Sequence, residues 1–197
     1  MGIGTVLLIL VLILVAGIGI FAITWFSSYN TLVKKRNWVE EAWAQIDVQL
    51  KRRYDLIPNL VETVKGYAQH EQETLTQVIE KRQQINNPNN SRNEQMEANN
   101  QLQNMMGRLF ALREDYPDLK ANENFLKLQE ELTSTENKIA YSRQLYNNTV
   151  MEYNTKIQSI PTNFVAGVHN FIQQEMLETP PEERENVKVD FNTGDRS

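Results

Sequence analysis

Between Trp38 and Ile79 the apolar positions recur at alternating steps of three and four: Val39, Trp43, Ile46, Leu50, Ile57, Leu60, Val64, Tyr67 and Val78, interrupted only at Arg53, Glu71 and Thr74. That spacing places them on one face of a helix. The phase passes through Pro58 without resetting, which predicts a single helix kinked where the ring removes one N–H and crowds the carbonyl of Tyr54. This helix is expected to end near Ile85, because the polar run Asn86–Ser91 contains Pro88 and reads as a loop. From Ser91 a second helix carries Ala98, Leu102, Met105, Leu109, Leu112 and Tyr116, and Pro117 stops it. A third, from Leu119 to about Gln158, has a heptad line of Phe125, Leu132, Ile139, Tyr146, Tyr153 and Ile160. Its companion line, Leu128, Thr135, Ser142 and Thr149, is mostly small and polar. Bulky residues beside small ones suit close antiparallel packing in a bundle, whereas an isolated coiled-coil rod needs apolar residues on both lines. Pro161 breaks the third helix, and Thr162 or Asn163 then caps a shorter fourth bearing Phe164, Val168, Phe171 and Ile172.

Before this amphipathic series the pattern is unbroken. Ile3 to Phe26 contains no charge, and the first charged side chain is Lys34. At about 1.5 Å per residue the run spans roughly 36 Å, enough for a hydrocarbon core of about 30 Å with some tilt. Trp25, Phe26 and Tyr29 stand where an aromatic belt is expected. A cleaved signal peptide has a shorter apolar core and a basic residue before it, so the segment reads as a retained anchor. MGIGTV lacks the Ser or Thr that a myristoylation signal carries at its sixth position. Lys34, Lys35 and Arg36 follow the span at once and favour an outside N-terminus with the rest of the chain in the cytoplasm.

Composition narrows the function classes. Glycine and proline are scarce and lie at segment ends, which predicts almost no sheet. The net charge of −5 divides into +2 over residues 1–60 (six Lys and Arg, four Asp and Glu) and −7 over residues 61–197 (fourteen against twenty-one), which disfavours nucleic acid as a partner. With no cysteine there is no disulfide, thiolate metal site, thiol nucleophile or thioether lipid anchor. The end of the chain, TPPEERENVKVDFNTGDRS after Glu178, reads as an extended or disordered tail. The alternation of Val187, Val189 and Phe191 would alternatively suit an edge strand paired to a partner.

No constellation of catalytic residues emerges. His70-Glu71-Gln72-Glu73-Thr74 has the first half of a zinc-protease H-E-x-x-H but lacks its second histidine. Pairing His70 with His169 and a carboxylate from Glu71 or Glu73 would need Glu-x-x-His on two helices, which the chain does not have. No glycine-rich phosphate loop is present, and neither a metal nor a cofactor is expected. The candidates are interaction residues. Asp47, Lys51 and Asp55 are helix neighbours at steps of four, suited to solvated ion pairs. Lys51, Arg52 and Arg53 are consecutive and cannot all face one partner helix, so they offer a docking or self-association surface near the kink. Arg53, on the apolar seam, must either snorkel outward or meet a carboxylate such as Glu131 or Glu136. Trp38 lies off the seam and is available to a partner or to lipid headgroups, whereas Trp43 reads as core.

Four blocks resemble the LemA family of bacterial membrane-anchored helical proteins: YNTLVKKRN (29–37), AWAQIDVQLKRRYDLIPNLVETVKGYAQHE (42–71), YPDLKANENFLKLQEELTSTENKIAYSRQLYN (116–147) and YNTKIQSIPTN (153–163). IDVQLKRR and DLIPNLV are the most specific parts. The resemblance extends from Tyr29 to Ile172 and implies a transmembrane helix followed by an up-and-down bundle. It implies no reaction and no catalytic residues; an association with membrane-bound zinc proteases is the partner it suggests. The family pattern usually has Phe before the last helix's proline, where this chain has Ile160, a change expected to be absorbed in core packing.

Together these readings give an all-α chain: a single transmembrane anchor (1–29), an elongated antiparallel bundle of three long helices and a shorter fourth (30–177), and an acidic tail (178–197). The expected function is a membrane-anchored, non-enzymatic scaffold or adaptor that is homo-oligomeric or bound to an integral membrane protein. An envelope-stress or signalling module with an outward-facing bundle is the alternative, and a metal-dependent hydrolase built on His70, Glu71 and Glu73 is the remote one.

Overall fold

One helix, α1 (Ile3–Lys65), carries both the apolar run and the spine of the bundle. The computed structural model describes residues 2–68, 70–85 and 90–178; the expected loop residues 86–89 and the tail from Thr179, including Val187, Val189 and Phe191, lie outside them. Further elements are α2 (Gln72–Ile85), α3 (Arg92–Ala111), a 3-10 turn (Leu112–Glu114), α4 (Pro117–Lys120), α5 (Glu123–Gln158) and α6 (Thr162–Val168). Among the described residues all regular structure is helical.

The chain runs up, down, up and down. α5 lies antiparallel to α1 along its length: the Asn122 amide donates to the Tyr67 hydroxyl at 2.8 Å at one end, and Lys35 pairs with Glu152 at 2.9 Å at the other. α2 and α3 form a hairpin against this pair. The core draws Leu32, Val39, Ile46, Leu50, Ile57, Leu60 and Val64 from α1, Leu75 and Val78 from α2, Met96, Leu102, Met106 and Leu109 from α3, and Phe125, Leu132, Ile139, Tyr146 and Tyr153 from α5. Each such large side chain contributes about 1.5–3 kcal/mol by leaving water.

Pro58 sits inside an unbroken α1. The carbonyl it deprives of a partner, that of Tyr54, accepts from Arg82 Nε on α2 at 2.9 Å. The orphan created by the ring is thus met by the neighbouring helix rather than left buried.

The first helix stops at Lys65, twenty residues short of the expected Ile85. Gly66 is its C-cap, the amides of Tyr67 and Ala68 both bond to Val64 O (3.0 and 2.8 Å), and α2 begins at Gln72. Two causes act together. Glycine disfavours helix by about 1 kcal/mol relative to alanine. Opposite Tyr67, α5 has reached its own N-terminus, so continuing α1 would bury nothing against it. Tyr67, expected on the seam, is accordingly exposed.

The other ends follow from caps. Ser91 and Glu94 form a reciprocal capping box at the start of α3. Ser91→Ala is expected to lower stability by about 1 kcal/mol in a denaturant titration. Hydrogen bonds from the Ser91 amide and hydroxyl hold the Glu94 carboxyl below the usual carboxylate range. Its contribution is therefore present above its unfolded pKa and lost as pH falls through the depressed folded one, an acid limb that Glu94→Gln should flatten. α5 starts at Glu123, after the expected Leu119, because Asn122 Oδ1 accepts from Phe125 N at 2.9 Å.

The last helix differs most from expectation. α6 ends at Val168, and Asn170, at φ 53°, turns the chain while Phe171 N bonds Ala166 O at 2.9 Å. This is a left-handed C-terminal stop, with asparagine in the position usually held by glycine. Phe171 and Ile172 therefore lie beyond the helix. α6 buries Thr162, Val165 and Ala166 instead of the expected Phe164 and Val168, both of which are exposed. Ile160, expected in the core, is also exposed, since α5 has already ended at Gln158.

From Phe171 to Leu177 the chain returns along α5 as an extended strap. Asn154 bonds both the N–H and the C=O of Gln174 (2.9 and 2.8 Å), and Asn147, two turns earlier on α5, does the same for Leu177 (2.8 and 2.9 Å). The bundle thus reaches Leu177, which is buried.

Candidate functional site

At the end of the bundle nearest the apolar run, α1 presents a basic and aromatic collar. Lys34 and Lys35 hold their ammonium groups 4.9 and 5.4 Å from the Trp38 ring centroid, and the Arg36 guanidinium lies 5.3 Å from that of Phe171. Trp38 is partly exposed, its ring flanked by cations and still accessible from outside. His169 packs against Tyr29 at 4.7 Å and Trp25 at 6.0 Å between centroids.

Farther along, Arg92 at the start of α3 ties α1 to α5. It pairs with Glu40, donates to the Tyr146 hydroxyl at 3.3 Å, and lies 5.3 Å from the Trp43 ring and 5.7 Å from that of Tyr146. Trp43, expected as core, is half-buried with its edge toward Tyr146 at 5.9 Å. The Tyr146 hydroxyl donates onward to Glu175 O at 3.2 Å, which fixes the strap to the same junction.

At the middle of the bundle Arg53 is 1% exposed. It forms an ion pair with Glu136 on α5 and donates to Asn99 Oδ1 on α3 at 2.6 Å. Burial pulls its guanidinium down to about 10, so it is still charged at neutral pH, and burial likewise raises the Tyr54 phenol. Arg143, nearby, donates to Asn100 Oδ1 at 3.3 Å. Arg53 therefore offers nothing to an outside partner; it cross-links three helices.

The remaining interaction candidates face outward. Asp47, Lys51, Arg52 and Asp55 are exposed on α1. Of these, Arg52 reaches Glu131 on α5 at 3.7 Å. Beside them a groove of about 670 Å³ opens between α1 and α5, lined by Ala44, Val48, Ser134, Tyr141 and Ser142 among others. Val48 and Tyr141 are 61% and 69% exposed, unusual for large apolar side chains in the middle of a bundle. Periodicity flagged neither residue, since both fall outside the seams. Glu41 and Lys138 give the groove one charge of each sign.

Nothing here assembles a reaction centre. His70 lies in the turn before α2 and His169 beside Tyr29; 36 residues of α1 between Tyr29 and Lys65 put roughly 54 Å between the two levels, so the two histidines do not meet. Among the described residues no group of three His, Asp or Glu side chains is placed to hold a metal ion.

The LemA family model matches residues 42–191, from the first turns of the bundle's spine onward. The chain belongs to the LemA family. Protein LemA of Metamycoplasma hominis is 29% identical over 156 residues, covering 79% of this chain and 71% of that protein. Magnetosome protein MamQ 2 of Paramagnetospirillum magneticum is 25% identical over 197 residues, covering 87% and 72% respectively. Magnetosome protein MamQ of Magnetospirillum gryphiswaldense is 25% identical over 206 residues, covering 92% and 75%. LemA is not a known enzyme family. With its bundle continuous with a helix long and apolar enough to cross a membrane, this LemA-family chain is a membrane-associated helical protein.

Proposed function

We propose that the chain is a membrane-anchored, non-enzymatic scaffold that assembles laterally with further copies of itself. The observation that carries this reading is the continuity of α1, which runs without a break from Ile3 to Lys65 and supplies both the apolar run and one wall of the groove. Copies anchored this way stand parallel, at one height, with their grooves facing along the membrane plane. Confinement to two dimensions raises the effective concentration of such contacts, so weak lateral pairing suffices. The occupant of the groove is accordingly a second copy, covering Val48 and Tyr141. Lys34, Lys35 and Arg36 directly after the span favour a cytoplasmic bundle, with the N-terminus outside. A membrane-bound zinc protease is the class of additional partner to try first, on the family resemblance, and Trp38, Lys51 and Arg52 are the exposed residues it would meet.

The test uses full-length protein in lipid vesicles, labelled with donor and acceptor dyes. Energy transfer above that of randomly diluted membrane proteins is expected, and Val48→Arg with Tyr141→Arg should reduce it to the random level without changing helicity. Transfer at the random level in the unaltered protein, or transfer unaffected by both substitutions, would contradict the reading.

A further inference from the structure

Phe164, Val168 and Ile172 follow Ile160 at successive steps of four residues, and all four are exposed: 79% for Ile160, 64% for Phe164 and Val168, and 70% for Ile172. Large apolar side chains at this exposure need a cover, and their place in the fold says which. α6 packs on α1 at the border of the charge-free run: Pro161, Phe164 and Val165 face Phe21, Thr24 and Trp25 across a cleft of about 370 Å³. Phe21 and Thr24 belong to the apolar run that ends at Phe26. An α1 that spans the bilayer therefore carries α6 to the level where the span emerges.

The sequence around α6 fits that level. Between Lys156 and Glu175 there is no Asp, Glu, Lys or Arg, a second charge-free stretch, here folded against the first. The collar of Lys34, Lys35 and Arg36 follows at the next turns of α1, with Arg36 against Phe171, and in such a bilayer would meet the headgroup phosphates. Exposed apolar residues on α6 and at both of its ends, basic residues beside them and no acid between them is the arrangement of a segment lying in a bilayer interface.

We infer that the segment Ile160–Ile172 is a second membrane contact, with Ile160, Phe164, Val168 and Ile172 immersed among the acyl chains of the leaflet that α1 leaves. Anchored at α1 and again at α6, the bundle is held at a fixed tilt and rotation rather than swinging on a single helix. This inference rests on the anchor reading of α1.

Because the chain has no cysteine, single thiols report on single positions. Full-length Phe164→Cys and Val168→Cys, each carrying an environment-sensitive fluorophore, would be placed in phosphatidylcholine–phosphatidylglycerol vesicles containing doxyl-labelled lipid. Phe26→Cys serves as the membrane reference and Lys127→Cys, exposed on α5 away from the groove, as the aqueous one. Both α6 positions are exposed, so neither substitution removes core packing. The expected result is quenching by doxyl lipid comparable to Phe26→Cys, with protection from aqueous iodide. Quenching by iodide as strong as at Lys127→Cys would overturn the inference, since α6 would then be in water. Protection from both quenchers, with disulfide-linked dimers of unlabelled Val168→Cys, would overturn it in favour of a second copy covering the stripe. If Phe26→Cys itself were quenched only by iodide, the anchor reading would fail and the inference with it, an outcome distinct from failure at α6 alone.

Discussion

Glu136→Ala should destabilise the protein more than any other surface-accessible carboxylate change, by about 3–5 kcal/mol. For a domain of this size that corresponds to a fall in Tm of roughly 6–20 °C. The reason is what it leaves behind. Arg53 is buried between three helices, pairs with Glu136 and bonds Asn99. Without the carboxylate, a guanidinium that remains charged at neutral pH is left inside the bundle uncompensated. Replacing the whole group, as Arg53→Met, Asn99→Leu and Glu136→Leu together, removes the charge with its partners and should recover most of the loss. Thermal unfolding followed by circular dichroism checks both variants. Equal loss in the single and triple variants would mean that the group matters for its shape rather than its charge.

Tyr146→Ala is the second large effect, expected at about 3–5 kcal/mol, while Tyr146→Phe is expected at about 1–3 kcal/mol. The ring is buried against Trp43 and fills the junction of α1, α3 and α5; the hydroxyl accepts from Arg92 and donates to Glu175. Phe retains the ring's packing but removes both hydrogen bonds. The two variants therefore separate core from strap. In Tyr146→Phe the global unfolding transition should fall by less than in Tyr146→Ala, while limited proteolysis between Phe171 and Glu178 accelerates. Asn147 and Asn154 still hold the strap at two points, so its release should be partial. Unchanged cleavage there would show that the asparagines alone fix it.

The residues that were legible in the sequence are those whose role is set by periodicity. The heptad line of α5 from Phe125 to Tyr153 is buried throughout, and α1 passes Pro58 as one helix because its apolar phase does. Arg53 on the seam had either to snorkel outward or to meet a carboxylate such as Glu131 or Glu136, and it pairs with Glu136. Periodicity is blind where an element ends for want of a partner. The phase from Val64 to Val78 lapses at Glu71 and Thr74 but does not mark the stop at Lys65; that depends on Gly66 and on where α5 begins, which in turn depends on the Asn122 cap. The spacing of Ser91 and Glu94 did carry a cap signal that fixes the start of α3. The face of α6 was inverted because Phe171 and Ile172 were counted as helical, whereas Asn170 turns the chain first. The strap was invisible for a related reason: Asn147 and Asn154 lie on the polar side of α5, where asparagine reads as solvated, and only the returning chain gives them a backbone to bind.

The exposure of Lys51, Arg52 and Trp38 was readable from phase alone. The groove was not. Val48 and Tyr141 lie outside both seams and come together only because α1 and α5 pack antiparallel at that register.

The measurement that bears most directly on the scaffold is the mass of the intact protein in nanodiscs by light scattering, corrected for lipid and belt protein. A defined multiple of the 22.9 kDa chain is the predicted result. A single chain per disc, at loadings where several could be accommodated, would contradict it.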